Sequence, residues 1–181
     1  MIGNLISDYV KGKKKFDYPE GIQKGIAMHR AIDCFTDTHA ATRGAKEIFR
    51  PAYRLYAGAF VDVVYDHFLA CDTSEFSEET LYDFSKWVYE TVEDYLQWLP
   101  EKFARMYPYM KEQNWLFNYR TRWGAGKSLG GVVHRSAYLT ESETANKLLE
   151  ENYQLLRDCY RHFWTDVKPF ARTELEALLK G

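Results

Sequence analysis

Apolar residues recur with helical period along almost the whole chain, and the strict alternation of a half-buried strand is hard to find. Tyr18-Pro19-Glu20 opens a helix by placing proline at a first-turn position, and Ile22, Ile26, His29 and Asp33 then fall at i, i+4, i+7 and i+11 on one face. Pro51 starts a second, which runs to about Ala70 with Leu55, Ala59, Asp62, Val63 and Asp66 on another face. Ser77, with Glu78 and Glu79 in its first turn, begins a third that passes through Trp87, Val88, Tyr95 and Leu96 to Leu99. Pro100 restarts the chain there, and Pro108 marks one more restart. Thr140 and Glu143 form a T-x-x-E capping box ahead of a helix to about Trp164, and Pro169 opens a short last helix ending at Gly181. With no repeat and no linker in view, the pattern predicts one compact all-α domain over residues 1–181, built of about seven helices.

Composition agrees with a globular chain and narrows its setting. Of 181 residues, 46% are hydrophobic and 28% charged, with 11 Gly and 5 Pro dispersed, which excludes disordered and collagenous classes and supplies a sizeable core. The most apolar stretch, Ala57 to Tyr65, is interrupted by Asp62 and is far shorter than the roughly 20 residues a bilayer span needs. Asp8 and then Lys11, Lys13, Lys14 and Lys15 follow an apolar start, the reverse of a signal peptide, so a cytoplasmic address is expected. Cys34, Cys71 and Cys159, odd in number and scattered, read as buried reduced thiols.

The net charge of -2 hides a division. Residues 1–50 carry nine Lys or Arg against six acids, residues 71–112 four against ten, and residues 113–140 carry Arg120, Arg122, Lys127 and Arg135 with no acid. Two basic segments in an acidic chain point to anion recognition at particular places and give no case for coating nucleic acid.

Two segments carry candidate chemistry. His29, Asp33 and Asp37 stand at i, i+4 and i+8, so a helix stacks them along one stripe with roughly 40° of drift per step. Asp62 and Asp66 sit one turn apart in Ala57-Gly58-Ala59-Phe60-Val61-Asp62-Val63-Val64-Tyr65-Asp66-His67-Phe68-Leu69-Ala70, a run otherwise almost wholly apolar. Such a helix belongs in a core, where an ionised carboxylate costs several kcal/mol unless something cationic lies opposite. An arginine or a metal ion would serve. Two helices that each offer His and Asp at one-turn spacing bring nitrogen and oxygen donors to one point, which suits Mn, Fe, Mg or Zn, and the metal is the favoured reading. Any one of these groups alone is as readily a satisfied core residue, with Arg30, Tyr65 or a helix end as its partner. His67 points about 100° away from Asp66, to the edge of such a site.

The chain resembles a known family, the acyl-carrier-protein phosphodiesterases (also called hydrolases), distant members of the HD-domain-like metal phosphohydrolases. The resemblance rests on Gly3-Asn4-Leu5-Ile6-Ser7-Asp8-Tyr9-Val10-Lys11-Gly12, on His29-Arg30-Ala31-Ile32-Asp33 through Thr36-Asp37-Thr38-His39, on Tyr56-Ala57-Gly58, and on Val61 through Ala70. It implies an all-helical, HD-domain-like, Mn-dependent hydrolase that cuts the phosphodiester between 4'-phosphopantetheine and the serine of holo acyl carrier protein. Family members usually begin with a further segment of N-x-L-A-H type carrying a histidine, whereas this chain starts at the Gly-Asn motif. HD proteins at large also place the histidine before the aspartate, while here Asp66 precedes His67.

A phosphodiesterase must hold a phosphate, generate hydroxide and neutralise charge, all of which a divalent metal can do. Metal ligands are then expected at His29, Asp33, Asp62 and Asp66, with Asp8 and His67 next, for Mn2+ or else Mg2+ or Fe2+. Asp37 or His39 is expected as base or orienting group. Arg30 is the expected phosphate contact, its alternative being an ion pair with Asp33 or Asp37. Lys11, Lys13, Lys14 and Lys15 would dock an acidic carrier protein, with Arg120 and Arg122 as a second possibility. Two other readings compete: an HD-like nucleotide phosphohydrolase, and a helical module that binds the carrier protein without cutting it. Gly124-Ala125-Gly126-Lys127-Ser128 resembles part of a P-loop but lacks its first glycine and its strand, and reads as a loop into a short helix from Leu129 to Arg135. The tryptophans and tyrosines read mostly as core, with some available to line a pantetheine groove.

Overall fold

Caps set most of the helix starts. Pro19 precedes α2 (Glu20–Thr38), the His39 side chain accepts from the Ala41 N–H to cap α3 (Ala40–Tyr53), Ser77 and Thr80 form a reciprocal box at α5 (Glu78–Glu93), and Pro100 precedes α6 (Glu101–Glu112). Asn114 and Thr121 cap α7 (Trp115–Asn118) and α8 (Arg122–Arg135) in the same way. The short α1 (Ile2–Ile6), together with α4 (Ala57–Ala70), α9 (Glu143–Glu151) and α10 (Tyr153–Lys180), completes the order in this computed structural model, which describes residues 1–180. Among the described residues there is no strand, and 3₁₀ turns fill the joins at Ser7–Tyr9, Gly12–Asp17, Arg54–Tyr56 and Leu96–Trp98.

The all-α expectation stands, but among the described residues ten helices replace about seven because the breaks fall elsewhere. Pro51, Pro108 and Pro169 lie inside α3, α6 and α10 and start nothing. The break after α3 comes instead at Arg54, whose φ of 50° ends the helix, and α4 opens at Ala57. α10 runs through Pro169 because its buried stripe, Leu156, Tyr160, Phe163 and Val167, is packed against α2, α3 and α4 on the way there. The single helix expected from Thr140 to Trp164 is divided at Asn152, and its capping box does not form: the Thr144 N–H is taken by the Glu141 carboxylate. The third helix stops at Glu93, short of Leu99. Gly124 to Ser128 is helix, not loop. A Cβ on Gly124 would stand 2.0 Å from the Asn118 carbonyl oxygen, so the start of α8 is pressed onto the end of α7 where only glycine fits.

Two apolar clusters hold these helices. One gathers Phe49, Phe60, Val61, Val64, Leu129, Leu149, Leu156 and their neighbours from α3, α4, α8, α9 and α10. The other gathers Ile6, Ile22, Ile26, Val92 and Phe103 from α1, α2, α5 and α6. The three cysteines are free, with Cys34 and Cys71 exposed and Cys159 half-buried, so the expected buried thiols are not found.

At the second cluster α1 lies unusually close to α2. A Cβ on Gly3 would stand 1.9 Å from the Ile22 carbonyl oxygen, and one on Gly25 3.0 Å from the Asn4 nitrogen. Two glycines therefore let two backbones touch, and that contact decides where Asn4 and Asp8 sit.

Candidate functional site

A cleft of about 550 Å³ opens along the seam between the clusters, with α1 and α2 on one side and α4 and α10 on the other. Asn4, Asp8, His29, Asp33, Asp62 and Asp66 line it together, beside Thr36, Tyr65 and a face of α10 that is apolar apart from Lys168, which pairs with Glu75. The one-turn spacings do the gathering. His29 and Asp33 share a stripe of α2, and Asp62 and Asp66 share one of α4.

His29 is held from α1 and the turn after it. Its Nδ1 lies 3.1 Å from Asn4 Oδ1 and its Nε2 3.1 Å from Asp8 Oδ1, so both ring nitrogens face oxygen acceptors. The Asp8 hydrogen bond, reinforced by the charges of Asp8, Asp33 and Asp62 and opposed by desolvation, holds the imidazole pKa above its ordinary value. Reciprocally, His29 keeps the Asp8 carboxyl low, helped by Lys11 and Arg135.

Asp62 and Asp66 are in the opposite condition. Both are exposed in the cleft and not buried in the core as the apolar run led one to expect, yet the surrounding protein still weakens their hydration. Desolvation, then the charges of Asp66 and Asp33, push Asp62 up to about 7 against a smaller lowering by Lys46. Desolvation pushes Asp66 to about 7 as well, and only the Tyr119 phenol opposes it. Among the described residues no lysine or arginine pairs with either.

Carboxylate oxygens and an imidazole are the donors that Mn2+, Mg2+ or Fe2+ takes. The separation of 3.1 Å between His29 Nε2 and Asp8 Oδ1 is that of a hydrogen bond and also that of two neighbouring ligands about 2.1 Å from one ion. Among the described residues, however, no three His, Cys, Asp or Glu side chains are arranged as they stand to hold a metal. The donor chemistry fits, and closing a shell requires side-chain rotation across the cleft.

Other predicted residues are not brought to the cleft. Asp37, one step further along the drifting stripe of α2, turns instead to Lys46 of α3, with 2.6 Å between Oδ1 and Nζ. His39 caps α3 while its Nε2 lies 3.0 Å from Asp166 Oδ2 and its ring stacks on Phe35. His67 is 1% exposed, and neither nitrogen is free: Nδ1 is 2.7 Å from the Tyr119 carbonyl and Nε2 2.8 Å from the Tyr153 hydroxyl. Desolvation keeps its pKa low, so the neutral ring donates to the carbonyl and accepts from the phenol, bracing α4 against the end of α7 and the start of α10. Arg30 is in no ion pair among the described residues. Its Nη2 donates to the Val10 carbonyl at 2.7 Å, tying α2 to the end of the first turn. Arg120 pairs with Glu78, and Arg122 pairs with Glu150 and lies over the Tyr153 ring.

Asn4, which holds His29, is a cleft residue to which the sequence pattern assigned no role. The signal was present, since Asn4 and Asp8 are four residues apart and fall on one side of a helical start.

Comparison with known proteins identifies the family. The family described as acyl carrier protein phosphodiesterase matches residues 1–167. The acyl carrier protein phosphodiesterase of Klebsiella pneumoniae subsp. pneumoniae is 31% identical over 173 residues, 95% of this chain and 90% of the relative. Those of an Enterobacter species and of Yersinia pestis are 32% and 30% identical over 165 residues, 91% of this chain and 86% of each relative. No solved structure matches the chain. Four-fifths or more of each relative is thus covered, the matched residues include Asn4, Asp8, His29, Asp33, Asp62 and Asp66, and the chain belongs to the acyl carrier protein phosphodiesterase family.

Proposed function

We propose that the cleft hydrolyses the phosphodiester linking 4'-phosphopantetheine to the serine of holo acyl carrier protein, giving apo carrier protein and free 4'-phosphopantetheine. The observation that carries this reading is the pair Asp62 and Asp66, desolvated and without a cationic side chain, facing His29, Asp33 and Asp8 across one cleft in a chain of this family. Those five residues would hold a divalent metal, most readily Mn2+, which when bound supplies an activated water and neutralises phosphate charge. The protein's own part is arrangement. Asn4 fixes the His29 ring through Nδ1, and Asp8 faces its Nε2. Turnover of holo carrier protein, compared with a panel of nucleotides, tests the reading; hydrolysis of nucleotides alone would replace it.

Metal dependence has a readout that needs no turnover. Without metal, the folded chain keeps protons on Asp62 and Asp66 between their ordinary value of 3.8 and about 7, protons that the unfolded chain has released. Stability therefore falls as pH rises across that window. His29, raised above 6.5, loses its contribution in the same direction on the alkaline side, whereas Asp8, lowered from 3.8, loses its own only on acidification. Metal-free protein is expected to melt at its highest temperature in mild acid and lower at neutral pH, with Mn2+ restoring the loss at neutral pH. A melting temperature that is flat across this range, or indifferent to Mn2+, would remove the metal from the cleft.

Docking follows from the fold as much as from charge. Lys11 and Lys14 line a groove of about 1160 Å³ that begins at Asp8 and also takes in Lys102, His134 and Arg135, so parts of both basic segments meet beside the cleft. None of Lys11, Lys13, Lys14 and Lys15 is in an ion pair among the described residues. An acidic carrier protein would find its countercharge here. Neutralising Lys11 and Lys14 together should raise KM for holo carrier protein several-fold at low salt, with the effect shrinking as the Debye length falls toward about 8 Å at physiological ionic strength. A loss of kcat independent of salt would move docking elsewhere.

A further inference from the structure

Arg135 is a guanidinium on the groove that begins at Asp8, and no acid occupies it. It is exposed and is in no ion pair among the described residues, whereas Arg30, Arg120 and Arg122 are all engaged. α8 puts it there. Trp123, Lys127, Gly131 and Arg135 follow at steps of four along one face, and side chains on a helix lean toward its N-terminus. The guanidinium accordingly lies back over Gly131, where a Cβ would stand 3.1 Å from Nη1. Glycine at 131 is what leaves room for that posture.

This face of α8 walls a pocket of about 210 Å³ with Trp115, Trp123 and Tyr119, and with Gln113, Asn118 and Ser128 supplying amides and a hydroxyl. Shared walls link the pocket to the cleft: it has Gln113, Trp115, Gly131 and Arg135 in common with the groove that begins at Asp8, and Asp8 also lines the cleft. Arg135 borders both this pocket and the groove that starts at Asp8, and its charge reaches the Asp8 carboxyl. Tyr119, Ser128 and Arg135 all line the pocket.

We propose that Arg135 and the pocket beneath Trp115 and Trp123 form the subsite for the released group, with the guanidinium on its phosphate and the tryptophans and amides against its pantetheine arm. The inference rests on the hydrolysis reading above. In that reaction water oxygen bonds to phosphorus, the bond from phosphorus to the serine oxygen breaks, and the serine oxygen leaves with a proton. The phosphate stays with pantetheine and becomes a monoester, gaining charge, so a planar two-point donor grips it better after cleavage than before. An amide-rich, flexible arm suits a pocket that alternates aromatic faces with side-chain amides.

The test is direct binding, measured by calorimetry on the whole chain with 4'-phosphopantetheine and with pantetheine, which lacks the phosphate. Arg135→Lys should bind 4'-phosphopantetheine about tenfold or more weaker than the unmodified chain, because an ammonium cannot reproduce the fork, while pantetheine binding stays the same. Gly131→Ala, which displaces the guanidinium without removing it, should weaken the phosphorylated ligand selectively too. Trp123→Ala should weaken both ligands alike; Trp123 is 61% exposed, so its truncation leaves the fold intact. Unchanged binding in Arg135→Lys, or in Trp123→Ala, would overturn the subsite while leaving the hydrolysis reading standing if holo carrier protein is still cut. A chain that neither cuts holo carrier protein nor binds 4'-phosphopantetheine would overturn both.

Discussion

Asp62→Asn and Asp66→Asn should each lower kcat on holo carrier protein by on the order of 10²–10³-fold or more while the helical far-UV spectrum is retained. The reason lies in what surrounds the two side chains. Each projects from a helix whose other faces are buried in the larger apolar cluster, and each lacks a cationic side-chain partner on the cleft floor. A carboxylate in that position is kept at a cost to stability, so replacing it with a neutral amide of the same shape removes repulsion between Asp62 and its neighbours Asp66 and Asp33. At neutral pH and without metal, both variants should therefore melt no lower than the unmodified chain. Loss of activity joined to unchanged or greater stability separates a functional carboxylate from a structural one, whose removal would strand a partner. Near-normal turnover in both variants would place the chemistry off α4. Turnover lost together with cooperative unfolding would make Asp62 and Asp66 structural.

The same pair shows why part of the site was legible in sequence. Two acids one turn apart in an apolar run can only share a face, and an apolar helix can only be buried, so their gathering needs no knowledge of tertiary structure. Asp37 lies at the limit of such reasoning. The drift of the stripe by its second step was legible, but the Lys46 that claims it comes from α3, whose placement depends on the turn at Arg54 and on packing against α4. His67 was correctly turned away from Asp66 by helix geometry, yet its partners, Tyr119 and Tyr153, are 52 and 86 residues distant and left no local trace. The proline boundaries failed for a related reason. Proline disfavours a helix locally, and α10 continues through Pro169 because packing over the preceding turns outweighs that preference. The likeness to HD-domain proteins rests on the motifs alone.

The sharpest consequence of the fold concerns a residue with no side chain. α1 has five residues, too few to be stable by itself, and is held only by packing Ile2 and Ile6 against Ile22 and Ile26 with the backbones in contact at Gly3. A methyl group at Gly3 would stand 1.9 Å from the Ile22 oxygen and 2.7 Å from the Ile26 nitrogen. Those are backbone atoms of a helix interior and cannot rotate aside, so α1 must move away as a unit. Asn4 and Asp8 move with it, and the two contacts at 3.1 Å that fix His29 are lost. Gly3→Ala should then cost about 1–3 kcal/mol of stability, as overpacking does, and remove most of the turnover. Gly21→Ala is the matching control, since a Cβ there meets nothing within 4 Å and alanine favours the first turn of α2. Gly25→Ala, with its nearest contacts at 3.0 Å, should fall between the two. The measurement is thermal melting beside kcat for all three variants. A Gly3→Ala protein that melts and turns over like the unmodified chain would mean that α1 does not rest on α2, and that His29 is held without Asn4 and Asp8.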